Sequence, residues 1–209
     1  MTASVNEIAG LADAIGALRA GELVVYPTET FYGIAADPFS PIALEKLFAI
    51  KGREANKPIA LIAADSAMAF AIAREVPAIA RRLGIAFWPG PLTMVIPARA
   101  DFPPQLIGPD AGVGVRVSSH PIARALCRGL GHPITATSAN LSGEPPANTI
   151  DAARKSLGTK VKVFLEGGIL SAVAPSTVIA CDADDFRIIR AGAISERELR
   201  AALSVGTLE

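Results

Sequence analysis

Short β-branched runs alternate with capped helical stretches along this 209-residue chain, and that alternation constrains its fold more than any other feature. Asn6 followed by Ile8, Leu11, Ile15 and Leu18 at helical spacing predicts a first helix. A buried strand over 22–26 follows, and Ser40-Pro41 opens a second helix by the cap-then-proline rule, with Leu44, Leu47 and Phe48 facing inward. A strand over 59–63 precedes two Ala-rich helices over 67–74 and 77–86. Strands over 92–98 and 113–117, a helix from Ser118-Ser119-His120-Pro121 to Leu130, and a strand over 134–137 come next. Thr149 caps a helix to Leu157, and strands over 161–165, 177–181 and 186–189 lead to a last helix over 195–203. No repeat, linker or low-complexity stretch interrupts the pattern, so one α/β domain over residues 1–209 is expected. Short loops between the late strands argue for a mixed rather than a purely parallel sheet.

The first strand ends in Tyr26-Pro27-Thr28-Glu29-Thr30-Phe31-Tyr32-Gly33. Proline removes a ladder donor and turns the chain out of a sheet. Two threonine hydroxyls, a carboxylate and a tyrosine then crowd the strand end, where loops on a rigid sheet commonly place binding groups. A Thr28 cap for a helix beginning at Glu29 accounts for one hydroxyl but not for Thr30 and Tyr32. A cap and a binding loop both remain open at this point.

Three further constellations could carry chemistry. Lys51-Gly52-Arg53 with Lys57 closes the second helix; such cations complement a helix dipole, and they equally suit a polyphosphate, lysine as a point charge and arginine as a fork. Thr135-Ala136-Thr137-Ser138-Ala139-Asn140-Leu141-Ser142-Gly143 runs from a strand into small polar residues, which make either a solvated turn or a nest of donors for an anion. Pro175-Ser176-Thr177-Val178 starts a strand with two hydroxyls, and Arg190 ends the next one, a position that a plain surface arginine also fits.

Composition narrows the partners. Twenty basic and twenty acidic residues cancel, which argues for a small-molecule substrate over a dedicated nucleic-acid binder. Hydrophobic residues at 51% and charged ones at 19% indicate a folded globular chain, and the most apolar window, 58–73, is too short and too interrupted to span a bilayer. No basic-then-apolar leader is visible, and Cys127 and Cys181 form no CxxC pair, so reduced, buried thiols in a cytoplasmic protein are expected. GxxxxGK[ST], GxGxxG and GxSxG patterns are missing, which excludes a Walker loop, a Rossmann turn and a nucleophile elbow. His120, before a proline, and His132, after a glycine, read as structural, and Asp182, Asp184 and Asp185 as solvated turn acids, so no protein metal site is expected.

Taken in order, Tyr-Pro-Thr-Glu-Thr-x-Tyr-Gly, Lys51-Gly52-Arg53, Trp88-Pro89-Gly90-Pro91-Leu92-Thr93, Ser138 to Gly143, Pro175 to Val178 and Arg190-x-Gly192 resemble the YrdC-like family of L-threonylcarbamoyl-AMP synthases, from about Gly21 to Gly192. The resemblance is to the short form, without an extra C-terminal domain. It implies a YrdC/RibB-like fold, a mixed α/β sheet curved around a positively lined cavity. It also implies a reaction joining L-threonine, bicarbonate and ATP to give threonylcarbamoyl-adenylate and pyrophosphate, with Mg²⁺ accompanying ATP, and a separate transferase that uses the product to modify tRNA.

Carried onto this sequence, the family pattern places L-threonine at Thr30 and Arg116, with Ser176 adjoining. It places the nucleotide at Lys51, Arg53, Lys57, Ser138, Asn140 and Arg190, with Lys51 and Arg53 as the catalytic charges. Lys57 stands where many members have Asn. Ile62 stands where many have a His near threonine, a departure that removes a side-chain contact there. Two other readings are compatible with the motifs: another carbamoyl-adenylate-forming enzyme, as in hydrogenase maturation, and a double-stranded RNA or tRNA-binding module using the same basic cavity. The first normally adds zinc-finger modules for which this chain lacks cysteines, and the second would weaken steeply with salt.

Overall fold

The computed structural model describes residues 8–52, 59–108 and 110–204. Nine strands form one mixed sheet: β1 (Val24–Tyr26), β2 (Gly33–Ala35), β3 (Ala60–Ala63), β4 (Leu92–Pro97), β5 (Gly112–Val117), β6 (Ile134–Ser138), β7 (Val163–Phe164), β8 (Thr177–Cys181) and β9 (Phe186–Arg190). Their order across the sheet is β7-β1-β2-β6-β3-β5-β4-β8-β9. Three neighbouring pairs run parallel, β1 with β7, β3 with β5 and β4 with β8, and the rest are antiparallel. The mixed sheet expected from the short late loops is present.

Among the described residues seven α-helices flank it: α1 (Leu11–Arg19), α2 (Pro41–Lys51), α3 (Ser66–Phe70), α4 (Ala78–Phe87), α5 (Pro121–Leu130), α6 (Ile150–Leu157) and α7 (Glu196–Ser204). Local chemistry sets several starts. Ser40 Oγ accepts from Ala43 N, Thr149 Oγ1 from Ala152 N, and His120 Nδ1 from Ile122 N ahead of Pro121. Two helices differ from expectation. α1 begins at Leu11 after Gly10 in the left-handed region, and Asn6 lies outside the described residues. The helix expected over 67–74 is only Ser66–Phe70, because Asp65 caps it one residue early and the chain then returns to the sheet. Ala73 bridges Ala98, and Arg74 N donates to Pro97 O.

Strand alternation sorts the two faces. Val113, Val115 and Val117 of β5, with Leu92, Met94 and Ile96 of β4, enter the larger core under α2, α4, α6 and α7. The opposite face is covered only in part: α1 and α5 pack Leu18, Ile122 and Leu126 onto Val24, Tyr26, Ile62 and Ile134. The remainder of that face stays open.

Candidate functional site

The open part is a cavity of about 580 Å³ lined by residues from eight adjacent strands, from Tyr26 on β1 to Arg190 on β9. Eight flat strands would span roughly 34 Å at about 4.8 Å each. A compact cavity of that volume reaches all of them when the sheet curves around it. Its floor is built of small residues in register: Ala60, Gly114 and Ala136 on the three central strands, with Gly112 and Gly33 beside them. A methyl at Gly114 would lie 3.3 Å from Ala60 Cβ and 3.6 Å from Thr93 Cγ2, and one at Gly112 would lie 2.6 Å from Val95 Cγ1. The space therefore exists because side chains are missing.

The loop after β1 supplies one wall. Thr28 caps no helix. Its Oγ1 accepts from Thr30 N and Phe31 N, donates to Phe31 O, and lies 3.0 Å from Thr30 Oγ1. This hydroxyl turn reverses the chain so that β2 can pair antiparallel with β1, Tyr26 opposite Gly33. Tyr32 fixes the far side of the turn, donating to Gly168 O and accepting from Gly167 N. Tyr26 OH donates to Thr135 O, and burial pushes its ionisation far above the ordinary tyrosine range.

Two clusters of charge and hydroxyl adjoin each other in the cavity lining, one on β5 and the loop after β1, the other spanning β4, the start of β8 and the end of β9. In the first, Arg116, 6% exposed, donates from Nη1 to Glu29 Oε1 at 2.7 Å and, at 3.4 Å, to Thr30 Oγ1. Glu29 Oε2 accepts from Ser118 Oγ, which in turn accepts from His120 N. Burial lowers the His120 pKa, with the Glu29 charge opposing it. In the second, Arg190 Nη2 donates to Ser176 O at 2.8 Å and Ser176 Oγ at 3.1 Å, and Ser176 Oγ lies 3.0 Å from Thr93 Oγ1. Burial and then the nearby charge of Arg116 lower the Arg190 pKa. At the rim, Arg187 and Asp110 approach at 3.6 Å. Glu29 offsets Arg116 and Asp110 faces Arg187, so Arg190 leaves the described lining with a net positive sign.

The structure thus brings Thr30, Arg116, Ser138, Ser176 and Arg190 together around one space. Lys51 and Asn140 lie behind it. The Lys51 ammonium, 2% exposed, donates to Ser138 O at 2.9 Å, Asn140 O at 2.6 Å and Asn140 Oδ1 at 2.9 Å, clasping the turn that follows β6. Arg53 and Lys57 lie outside the described residues. Ile62 is fully buried in the cluster beneath α1 and α5, and its carbonyl accepts from Cys127 Sγ, so it contributes to the cavity's support and not to its lining. Sequence reasoning assigned no role to Glu29, Thr93, Ser118 or Thr137. Glu29 and Thr93 stood inside recognised motifs, whereas nothing local distinguished Ser118 from a helix-start serine. Among the described residues no group of three His, Cys, Asp or Glu side chains could hold a metal ion.

A curved open sheet with a small-residue floor, paired hydroxyls and two neighbouring arginines is the architecture of a small-molecule site suited to negatively charged groups. Comparison with known proteins gives the lineage. The family model Sua5_yciO_yrdC, described as telomere recombination, matches residues 16–192. A threonylcarbamoyl-AMP synthase of Photobacterium profundum is 39% identical over 159 residues, 75% of this chain and 86% of its own length. Among solved structures, P. abyssi Sua5 complexed with L-threonine superposes with a TM-score of 0.87 at 33% identity over 92% of this chain, which spans 57% of that longer one. E. coli YciO gives 0.81 at 26% identity, covering 90% and 92% of the two chains. The chain belongs to the Sua5/YciO/YrdC family.

Proposed function

We propose that this protein is a nucleotidyltransferase that makes threonylcarbamoyl-adenylate and pyrophosphate from L-threonine, bicarbonate and ATP. One observation carries the reading: a hydroxyl–arginine cluster, Thr30 with Arg116, adjoins a second, Ser176 with Arg190, in the lining of one cavity, as two substrates that must react together require. The kinship with proteins named threonylcarbamoyl-AMP synthase and with a Sua5 solved with L-threonine supports it.

In this reading Arg116 takes the threonine carboxylate by its planar fork, Thr30 reads the hydroxyl and Ser176 adjoins it. The threonine nitrogen forms a bond to the bicarbonate carbon and water departs, leaving a carbamate. A carbamate oxygen then displaces pyrophosphate from the α-phosphorus of ATP. No covalent enzyme intermediate is needed, so rate enhancement rests on alignment and on charge placed where it develops. Arg190 and Ser138 face that space directly. Lys51 and Asn140 act on it by holding the Ser138 turn, and Arg53 and Lys57 are assigned to the polyphosphate from the motif alone. Among the described residues Asp110 is the only acid of the lining, too few carboxylates for a resident Mg²⁺ site, so Mg²⁺ enters as part of the ATP complex. The product passes to a separate transferase acting on tRNA. We place the reaction in the cytoplasm, where ATP and tRNA meet and thiols stay reduced. No helix among the described residues is long and apolar enough to cross a membrane.

The test is release of pyrophosphate by the purified chain. Dependence on all three of ATP, bicarbonate and L-threonine supports the assignment; release that ignores threonine removes it.

A further inference from the structure

Resting on the function proposed above, we infer that Glu29 is a resident counter-carboxylate that sets which edge of Arg116 meets the substrate and makes the site select zwitterionic amino acids over plain anions. Arg116 spends Nη1 on Glu29 Oε1 and Thr30 Oγ1, while Nη2 and Nε have no protein partner among the described residues. Since Arg116 lines the cavity, the Nη2–Nε edge is the one left to receive a carboxylate in two parallel hydrogen bonds.

Glu29 is itself fixed. Its side chain is 14% exposed, and both oxygens are engaged, Oε1 by Arg116 and Oε2 by Ser118 Oγ. Each oxygen is held by a protein donor, and Glu29 is not among the residues lining the cavity, so it is a positioning residue acting through Arg116 and through its charge. That charge matters because the Arg116–Glu29 pair is neutral as a unit. An unpaired Arg116 beside Arg190 would bind any carboxylate or phosphate that fitted. With Glu29 in place, a bare anion docking on the free edge meets a second carboxylate across the same guanidinium. An amino acid brings an ammonium that offsets that repulsion. The pair thereby keeps phosphates of ATP on the Ser176–Arg190 side and leaves the Arg116 side to the amino acid.

The experiment compares calorimetric binding of L-threonine with that of its analogue bearing a hydroxyl in place of the amine, at one pH, to wild type and Glu29→Gln. Glutamine keeps the length and the acceptor toward Arg116 and removes the charge. Wild type should prefer the amino acid by about tenfold or more, and Glu29→Gln should erase most of that preference by tightening the hydroxy acid, with ATP binding changed by less than about twofold. Ser118→Ala frees Oε2 but keeps the charge, so it should weaken both ligands by a similar factor and preserve their ratio. A ratio unaltered by Glu29→Gln overturns the inference. Should that variant not fold, a wild-type ratio near one, or Ser118→Ala without effect on either ligand, overturns it equally. A wild type that binds L-threonine yet shows such results sinks this inference alone; one that binds no L-threonine sinks the proposed function with it.

Discussion

Replacing Lys51 by Met would show whether the charge behind the cavity holds the site together. Met keeps most of the stem volume, so the packing cost is small. What is lost is one ammonium serving Ser138 O, Asn140 O and Asn140 Oδ1 at 2.6 to 2.9 Å, in a position 2% exposed. A hydrogen bond to a charged group contributes about 1.5–3 kcal/mol, and the acceptor left without another donor, Asn140 O, costs about 1–3 kcal/mol more, since Ser138 O still accepts from Asn140 N and Asn140 Oδ1 from Ser138 Oγ. The three share one turn and do not add, so a net loss of about 3–5 kcal/mol is reasonable. Against a total of about 5–15 kcal/mol the protein should stay folded, with Tm lowered by roughly 6–20 °C for a chain of this size. The loosened turn carries Ser138 into the cavity wall, so ATP KM in the pyrophosphate assay should rise about tenfold or more while threonine KM moves less. Thermal unfolding beside steady-state kinetics decides. An unchanged Tm would refute the clasp, and a lowered Tm with ATP KM intact would detach the turn from the nucleotide site.

Arg116→Lys keeps charge but loses the fork, so threonine KM should rise about ten- to a hundredfold with ATP KM little changed; equal effects on both substrates would make Arg116 a general support. If Thr30 reads the substrate hydroxyl, valine should be rejected strongly and serine by only about 1–3 kcal/mol, and competition assays in which valine rivals serine would refute that role. Gly114→Val should fill the floor between Ala60 and Thr93, weakening ligand binding while circular dichroism stays native; unaltered binding would mean the ligands do not reach β5. Cys127 and Cys181 are free and buried, and burial pushes both thiols up to about 12. Neither should react with iodoacetamide at pH 8 before unfolding. Since an unfolded thiol ionises near about 8.5, their stabilisation should be full below that pH and decline as pH climbs toward 12, which urea midpoints at neutral and alkaline pH can check.

Where physical signals were local, the sequence was readable. Ser40-Pro41 and Thr149 announce helices α2 and α6 because a hydroxyl cap acts within three residues. β8 is legible because alternation along 177–181 sorts its faces. β2 was not, since three residues, Gly33–Ala35, are too few for a period, and one of its two partners, β6, lies over a hundred residues away. The same limit explains the candidate site. Thr30, Ser176 and Arg190 were recognisable from motifs, but the clasp of Lys51 on Asn140 and the pairing of Glu29 with Arg116 join residues 87 or more apart. Position in the fold also keeps Ile62 out of the cavity lining, because α1 and α5 cover that part of the sheet face.

In the floor of Ala60, Gly114 and Ala136, depth comes from methyls that are absent on rigid strands, whereas the donors and charges come from the loops and strand ends around it. Shape and charge are therefore carried by different parts of the chain. A lineage could shrink the chamber one carbon at a time, by substitutions at strand glycines with ordinary backbone angles, without disturbing a single hydrogen bond at the rim. It could equally exchange rim residues without altering the volume. Such separability lets one scaffold be refitted to ligands of different size while keeping its way of gripping their charge.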